Sequence, residues 1–206
     1  MSETIRVYGS TRSRAMRVLW MCRELNLEFE QVDIMPGGAE ARAPDFRAKH
    51  PMGKIPVLEM PDGFVLFESA AIVTYLGDLH PASELVPRPG TRERGLYEQW
   101  MSFALTELDA PLWTRALHTF ALPEHLRAEA ALPAASAVYS RGRAVVEAEL
   151  DAHPHILGEA FSAVDIVIAQ TLLWGRGDGL EPHGPNVEAY LKRVKSRSAF
   201  QRALGR

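Results

Sequence analysis

The pattern of apolar and polar positions divides the chain into a mixed first part and a helical second part. The run IRVYG at residues 5–9 predicts a strand, and FEQVDI at residues 29–34 predicts another. Between these two runs, apolar residues recur at helical spacing, namely Val18, Met21, Cys22 and Leu25. The first part therefore begins as a strand–helix–strand unit.

A hairpin is predicted at residues 53–69, which read GKIPVLEMPDGFVLFES. The first strand contains Val57 and Leu58, the turn is Pro61–Gly63, and FVLF forms the second strand. A helix is predicted from Ser69 onward, with an apolar side formed by Ala71, Ile72, Tyr75, Leu76 and Leu79. The pattern thus indicates two short antiparallel strands followed directly by a helix.

The best candidate for a domain linker is the segment HPASELVPRPG, which contains three prolines and a glycine. After Thr91 the apolar spacing is helical almost throughout, and no alternating strand pattern is present. We therefore predict a mixed domain at residues 1–80, a linker at 81–90 and an all-helical domain at 91–206.

Composition and charge exclude several classes of function. The 206 residues include 23 basic and 26 acidic side chains, so the net charge of -3 offers no general basic surface for nucleic acid or anionic lipid. Cys22 is the only cysteine, which rules out an internal disulfide and a zinc cluster of CxxC type. Since no Cys/His cluster has zinc-ligand spacing, we predict no metal. The lone cysteine, the start MSETIRVYGS without an apolar signal core and the lack of an apolar run long enough to span a bilayer predict a cytoplasmic protein.

The start of the hairpin predicts an edge that stays open for a ligand. Pro56 stands where a strand should begin, and its missing N–H removes one backbone donor. If the Ile55–Pro56 bond is cis, the backbone N–H and C=O of Ile55 face solvent and can pair with a peptide-like ligand. The alternative, which composition alone favours, is an ordinary edge-strand proline.

The junction between the hairpin and the next helix predicts an anion site. The first N–H groups of a helix have no partners within it, so the N–H and hydroxyl of Ser69 can hold a carboxylate. Glu68 can pair with an ammonium group on the same ligand. The alternative is an N-cap serine preceded by a solvated glutamate. Together with the open edge, these residues suggest a slot for a short peptide with an α-amino acid head.

Three segments resemble cytosolic glutathione transferases, in the same order and at similar separations. They are YGSTRSRAMRVLWMCREL, HPMGKIPVLEMPDGFVLFESAAIVTYL and EAFSAVDIVIA. The resemblance covers essentially the whole chain. It implies an α/β thioredoxin-like N-terminal domain followed by an all-α helical bundle domain. In the third segment, Ser162 and Asp165 have the spacing of a helix capping box.

The resemblance also implies a glutathione site built from the hairpin and the next helix, formed by His50, Lys54, Ile55, Pro56, Glu68 and Ser69, with Pro56 in the cis form. Ile55 would bond the cysteinyl backbone of glutathione, and Glu68 and Ser69 would hold its γ-glutamyl end. Lys54 would lie near the glycyl carboxylate or the peptide backbone. His50 is a weaker candidate, because a histidine before a proline is more often a structural or solvated loop residue.

Activation of the glutathione thiol is expected from the loop between the first strand and the first helix. A thiol with a pKa near ~8.5 needs hydroxyl groups, helix N–H groups or cations to stabilise its thiolate at neutral pH. The loop offers Tyr8, Ser10, Thr11 and Ser13 as hydroxyls and Arg12, Arg14 and Arg17 as cations. The position that carries serine in several serine-type classes is Arg12 here. We therefore favour Ser13, followed by Ser10 and Tyr8, although Ser13 also suits a helix N-cap and Tyr8 a buried strand aromatic.

The resemblance implies a detoxifying transferase that adds glutathione to an electrophilic small molecule and works as a homodimer. Trp100, Phe103 and Trp113 are candidates for the electrophile site, although aromatic residues at helical spacing more often belong to a core. The same thiolate would also serve a peroxidase or a disulfide reductase. A different class of function is a non-catalytic ligand carrier or protein-interaction module, for which the departure at Arg12 leaves room.

Overall fold

The structure is a computed structural model and describes residues 4–180 and 183–205. Its contacts divide the chain into two compact units, residues 1–86 with 195–206 and residues 87–194. None of the helices formed by the described residues combines the length and the apolar character that a membrane crossing needs.

The first unit is a four-stranded sheet with helices. Its elements are β1 (Ile5–Tyr8), α1 (Ala15–Glu24), β2 (Phe29–Val32), α2 (Ala39–Arg42), α3 (Pro44–Lys49), β3 (Val57–Glu59), β4 (Val65–Phe67), α4 (Ser69–Leu79) and α10 (Ser198–Ala203). The strand order is β2-β1-β3-β4, with β1 parallel to β2 and antiparallel to β3, and β3 antiparallel to β4. The parallel pair needs a crossover, which α1 supplies. The predicted thioredoxin-like domain is confirmed.

The strands of the first unit bury side chains on both faces of the sheet. Val7 and Leu58 lie opposite each other in the β1–β3 pair and are completely buried. The alternate positions contribute to a second cluster, formed by Tyr8, Ile34, Ala41, Phe46 and Val57. The short strands thus combine buried apolar residues with polar ones such as Arg6, Glu30 and Glu59, and no clean alternation marks them.

The buried side of α4 differs from the predicted one. Ile72, Val73 and Leu76 are completely buried, whereas Ala71 and Leu79 are exposed. At 100° per residue, the buried positions are centred on Val73 and Leu76, and Ala71 lies on the opposite side. The predicted apolar side was therefore wrong at Ala71 and Leu79.

The helix α10 belongs to the first unit by its contacts. Phe200 packs edge-on against Trp20 of α1 at 4.8 Å between ring centroids. Arg197 donates two hydrogen bonds to the carboxylate of Glu24, at 2.7 and 2.8 Å. The sequence pattern assigned residues 91–206 to one helical domain, because helical spacing shows that a segment is a helix but not which unit it packs against.

The second unit is helical. It consists of α5 (Arg92–Phe103), α6 (Ala110–Ala116), α7 (Ala131–Ala152), α8 (Ala163–Gly177) and α9 (Pro185–Lys195), with π-helical turns at Ala104–Asp109 and Leu117–Ala121. A Cβ on Gly142 of α7 would lie 2.6 Å from the carbonyl oxygen of Glu107, so glycine permits the close approach of α7 to the first π-helical turn. This unit confirms the predicted all-α second domain.

The capping box of α8 is present as predicted. Asp165 is completely buried and accepts hydrogen bonds from the N–H groups of Ser162 at 2.8 Å and Ile156 at 3.0 Å. The Tyr190 hydroxyl donates to the same carboxylate at 3.1 Å. Burial raises the pKa of Asp165, and the hydrogen bonds from Ile156 and Ser162 oppose that shift. This carboxylate thus ties the start of α8 to the preceding loop and to α9.

Cys22 lies in the buried part of α1 and is completely inaccessible. Burial raises its pKa to about 12, so the group stays a neutral thiol at physiological pH. The residue therefore acts as a small apolar side chain of the core, as its position on the apolar side of the helix predicts.

We predict that Asp165→Ala lowers the free energy of unfolding by about 3 kcal/mol, because two buried N–H groups lose their acceptor. Urea denaturation followed by circular dichroism measures this loss. The matched control is Glu159→Ala, which removes an exposed carboxylate from the same loop and should change the free energy by less than about 0.5 kcal/mol. Equal effects of the two substitutions would contradict the structural role of Asp165.

Candidate functional site

The loop between β1 and α1 lies directly against Ile55. Gly9 has a φ of 132°, and a Cβ there would lie 2.6 Å from the Cβ of Ala15 and 3.2 Å from the Cβ of Ile55. Only glycine combines this backbone conformation with so close an approach. The Gln31 side chain also donates a 2.9 Å hydrogen bond to the carbonyl of Gly9. The fold thus brings the predicted activating loop to the open edge of the hairpin.

Two of the candidate hydroxyls lie in this loop and differ in their contacts. The Ser13 hydroxyl donates to the carbonyl of Ser10 at 2.8 Å and accepts from the N–H of Ala15 at 3.1 Å. Ser13 is half-buried, so a ligand can reach it. The Ser10 hydroxyl is enclosed and has no hydrogen-bond partner among the described residues. Ser13 therefore serves as a local cap of the loop, and Ser10 lies behind it.

The hydroxyl of Tyr8, the third candidate, belongs to a hydrogen-bonded cluster with Glu59 and Lys49. The hydroxyl donates to the carboxylate of Glu59, which also accepts a 2.8 Å hydrogen bond from Lys49. The Tyr8 ring packs against Phe46 at 5.8 Å. Burial and the bond to Glu59 raise the pKa of Tyr8. In the structure the Tyr8 hydroxyl is therefore engaged by Glu59, and its role toward sulfur stays a prediction.

The open edge of the hairpin is formed by Ile55. The Ile55–Pro56 peptide bond is cis, as the resemblance implied. Pro56 is buried, and Ile55 is partly exposed. Neither the N–H nor the C=O of Ile55 forms a hydrogen bond with a residue that the structure describes. A ligand backbone is therefore a suitable partner for both groups.

The start of α4 has the features of an anion site. Glu68 provides no side-chain cap, and the N–H groups of Ser69 and Ala70 have no acceptor among the described residues. Glu68 is exposed and has a φ of 72°, which is uncommon for a residue with a side chain. Such conformations cost about 1–3 kcal/mol and cluster at functional sites. The roles predicted for these groups, holding a carboxylate at the helix start and an ammonium group at Glu68, stay predictions.

Arg17 is the residue that the sequence reasoning misplaced. The sequence suggested it as a cation near sulfur, but in the structure its Nη1 donates to the Ser69 hydroxyl oxygen at 3.1 Å. Arg17 is completely inaccessible within the buried run from Ala15 to Cys22. A buried guanidinium is costly unless it has acceptors or a nearby anion. The signal that could have located it is an arginine on the apolar side of a predicted helix.

His50 and Lys54 lie on the segment that leads into β3. The His50 ring is buried, its Nδ1 accepts from the N–H of Met52 at 3.2 Å, and it packs against Phe67 at 4.6 Å. Burial lowers the pKa of His50, Lys54 adds to that shift and Glu68 opposes it. His50 is thus neutral at pH 7 and lies close to two charged members of the predicted slot, and its contact with a ligand stays a prediction. Lys54 is exposed.

The candidates for the electrophile site belong to the second unit. Trp100 is buried and meets Phe103 edge-to-face at 5.2 Å between ring centroids. Phe103 and Trp113 are half-buried. Trp100 therefore has the contacts of a core residue, while the other two retain accessible surface.

Comparisons with known proteins agree with this arrangement. A family model described as "Glutathione S-transferase, N-terminal domain" matches residues 7–84. A crystal structure of a glutathione transferase from Methylococcus capsulatus is 30% identical, with a TM-score of 0.84, and the match covers 98% of this chain and 97% of that one. A theta class enzyme from Xanthomonas axonopodis pv. citri, solved with glutathione bound, is 28% identical with a TM-score of 0.81 and covers 98% and 97%.

A relative of another kind also matches. Elongation factor 1-gamma from Equus caballus is 31% identical over 173 residues, which include 82% of this chain. The chain spans 38% of the length of that protein. The same fold therefore occurs within a longer chain of a different name.

We predict that Glu68→Gly raises the free energy of unfolding by about 1 kcal/mol, because glycine adopts a positive φ without the steric cost. Thermal and urea denaturation measure the change. Glu28→Gly is the control, since Glu28 is exposed and its φ is not positive, so glycine there should destabilise the fold. A loss of stability in Glu68→Gly as large as that in the control would contradict the strained conformation.

Proposed function

The chain belongs to the glutathione transferase family, and on this basis we propose that it binds glutathione, stabilises its thiolate and transfers it to an electrophilic small molecule. The observation that carries the proposal is the combination of an open peptide edge at Ile55 with an uncapped helix start at Ser69. A tripeptide with an α-amino acid head matches both features at once.

The γ-glutamyl head of glutathione is assigned to the start of α4. Its carboxylate accepts hydrogen bonds from the N–H groups of Ser69 and Ala70 and from the Ser69 hydroxyl. The Ser69 oxygen accepts from Arg17, so its hydrogen is still available to donate to the carboxylate. The exposed carboxylate of Glu68 pairs with the ammonium group. The buried charge of Arg17 adds a favourable field at the carboxylate. This set explains why α4 begins without a side-chain cap.

The remainder of the tripeptide is assigned to the hairpin. The N–H and C=O of Ile55 pair with the cysteinyl backbone in the manner of an added strand. Lys54 is exposed on the same segment and is proposed to interact with the glycyl carboxylate. The cysteinyl sulfur then lies toward the loop that contacts Ile55 through Gly9.

Ser13 is proposed to stabilise the thiolate. A hydroxyl has one hydrogen, and Ser13 donates it to the Ser10 carbonyl at 2.8 Å in this structure. Rotation of the hydroxyl toward a bound thiolate exchanges this neutral hydrogen bond for a stronger charge-assisted one. The exposed guanidinium of Arg12 lies one residue earlier and favours the anion as well. The thiolate then attacks the electrophilic carbon, a C–S bond forms, and the leaving group departs with its bonding electron pair.

A non-catalytic carrier or interaction module is the second candidate function. The present commitment of the Ser13 hydroxyl to the loop supports it, as does the similarity to elongation factor 1-gamma. A peroxidase or disulfide reductase would use the same thiolate and differ only in the second substrate. The carrier is distinguished from the transferase by turnover rather than by binding.

A homodimer and a cytoplasmic location complete the proposal. The first unit exposes large apolar side chains around the hairpin and α4, namely Met52, Phe64, Phe67 and Leu79. Exposed apolar groups of this kind support contact with a second copy. The buried free thiol of Cys22 suits a reducing compartment.

We predict saturable binding of glutathione in isothermal titration calorimetry, weakened about tenfold by Ser69→Ala and by Glu68→Gln, since each removes a hydrogen bond to a charged group. Glu28→Gln is the matched control for the charge change and should bind like the parent protein. The absence of saturable heat at millimolar glutathione would overturn the proposal. Turnover of 1-chloro-2,4-dinitrobenzene then separates a transferase from a carrier, because a carrier binds glutathione without conjugating it.

We further predict that Ser13→Ala leaves glutathione binding intact and raises the pKa of the bound thiol by about one unit, the size of one lost charge-assisted hydrogen bond. Ultraviolet titration of the thiolate measures this pKa. Ser102→Ala, on the exposed side of α5, controls for the loss of a serine hydroxyl. An unchanged pKa in Ser13→Ala, or an equal rise in Ser10→Ala, would assign the activation to another group.

A further inference from the structure

A groove of about 330 Å³ lies in the first unit, away from the hairpin. Its lining includes Thr11, Leu19, Arg23, Phe29, Gln31 and Arg202. Phe29 and Gln31 belong to β2, which is one edge of the sheet, whereas the hairpin strand β4 is the opposite edge. The volume is at the lower end of the range for small-molecule sites. The groove therefore lies apart from Ile55 and Ser69, shares only Thr11 with the predicted activating loop, and has room for a small ligand.

Arg23 gives this groove an uncompensated positive charge. Its guanidinium lies over the Phe29 ring at 4.5 Å and forms no hydrogen bond or ion pair with a residue that the structure describes. The Nε atom is enclosed as well. Arg23 is in the last turn of α1, where a cation interacts favourably with the helix dipole. The helix dipole does not provide a hydrogen-bond acceptor for the enclosed Nε–H of Arg23, so this donor is still without an acceptor among the described residues.

Arg202 is a second cationic residue of the lining, and hydrogen bonds hold its guanidinium in place. Its Nη2 donates to the carbonyl of Arg23 at 2.9 Å and to the Asn26 side chain at 3.3 Å. Its Nη1 donates to the Ser198 hydroxyl at 3.3 Å. Two cations that line one cavity repel each other, and no acidic side chain is among the lining residues described. An anion between them would relieve this repulsion.

The remaining lining residues indicate which apolar and polar groups a ligand of the groove would carry. Leu19 provides an apolar wall, and Gln31 and Thr11 provide hydrogen-bonding groups at the end near the activating loop. Arginine pairs well with planar or tetrahedral oxyanions because its N–H groups form a fork. We infer that the groove binds a small organic anion, one carboxylate or phosphate group on a compact apolar body, with Arg23 and Arg202 as its charge partners.

The test uses phenyl phosphate as the probe and the full chain as the protein. Backbone amide shifts in ¹H–¹⁵N spectra locate the binding: Phe29 and Gln31 report on the groove, and Ser69 and Ala70 report on the start of α4. We expect shifts at the groove amides and a dissociation constant that Arg23→Gln weakens about tenfold, the size of one hydrogen bond to a charged group. Higher salt should weaken the binding as well.

Arg42→Gln is the matched control, because Arg42 is exposed on α2 and carries the same charge. Circular dichroism of each variant verifies the fold, and Arg202→Gln supplies a second variant. Four outcomes would each overturn the inference. Two concern location: amide shifts confined to the start of α4, or no shifts at Phe29 and Gln31 with millimolar phenyl phosphate. The other two concern charge: binding of phenyl phosphate weakened as much by Arg42→Gln as by Arg23→Gln, or neutral phenol bound as tightly as phenyl phosphate. None of these measurements requires glutathione, so the inference fails or stands independently of the proposed function.

Discussion

The buried hydrogen bond between Arg17 and Ser69 is the interaction on which the candidate site depends. It joins the middle of α1 to the first residue of α4, with the guanidinium completely inaccessible and the hydroxyl nearly so. Burial of a charge in this way is costly, and an anion at the start of α4 reduces that cost. The same contact holds the start of α4, where the N–H groups of Ser69 and Ala70 have no acceptor among the described residues.

The second constraint is the close contact of Gly9 with Ile55. The loop that carries Ser13 and the edge that carries Ile55 come from different parts of the sequence, and only a residue without a Cβ permits their approach. A backbone-binding edge and a thiolate-stabilising loop are useful only if one cysteinyl residue can reach both. Under the proposed function, the geometry of Gly9 therefore links peptide recognition with sulfur chemistry.

The hairpin, the α8 capping box and the two-part architecture could be predicted because each depends on local spacing or on a motif of a few residues. The cis form of Pro56 came only from the family resemblance, because local sequence does not determine the isomer of a proline peptide bond. The position of Arg17 could not, since the partner of a buried charge depends on how α1 and α4 pack. The contacts of Tyr8 with Glu59 and of α10 with α1 were missed for the same reason, as they join residues distant in sequence. The exposure of Leu79 was missed because α4 presents fewer residues to the core than its composition suggests.

A transferase and a carrier differ in whether the Ser13 hydroxyl donates its hydrogen to the thiolate or to the Ser10 carbonyl. In the structure the Ser13 hydroxyl donates to the Ser10 carbonyl, which also accepts from the N–H of Ser13 at 3.2 Å. The carbonyl thus retains one partner if the hydroxyl turns away, so the rotation costs one weak neutral bond and gains a stronger bond to an anion. The exchange is favourable only when a thiolate is present, and for this reason the hydrogen bond from Ser13 to Ser10 is compatible with the proposed catalysis despite the arginine at position 12.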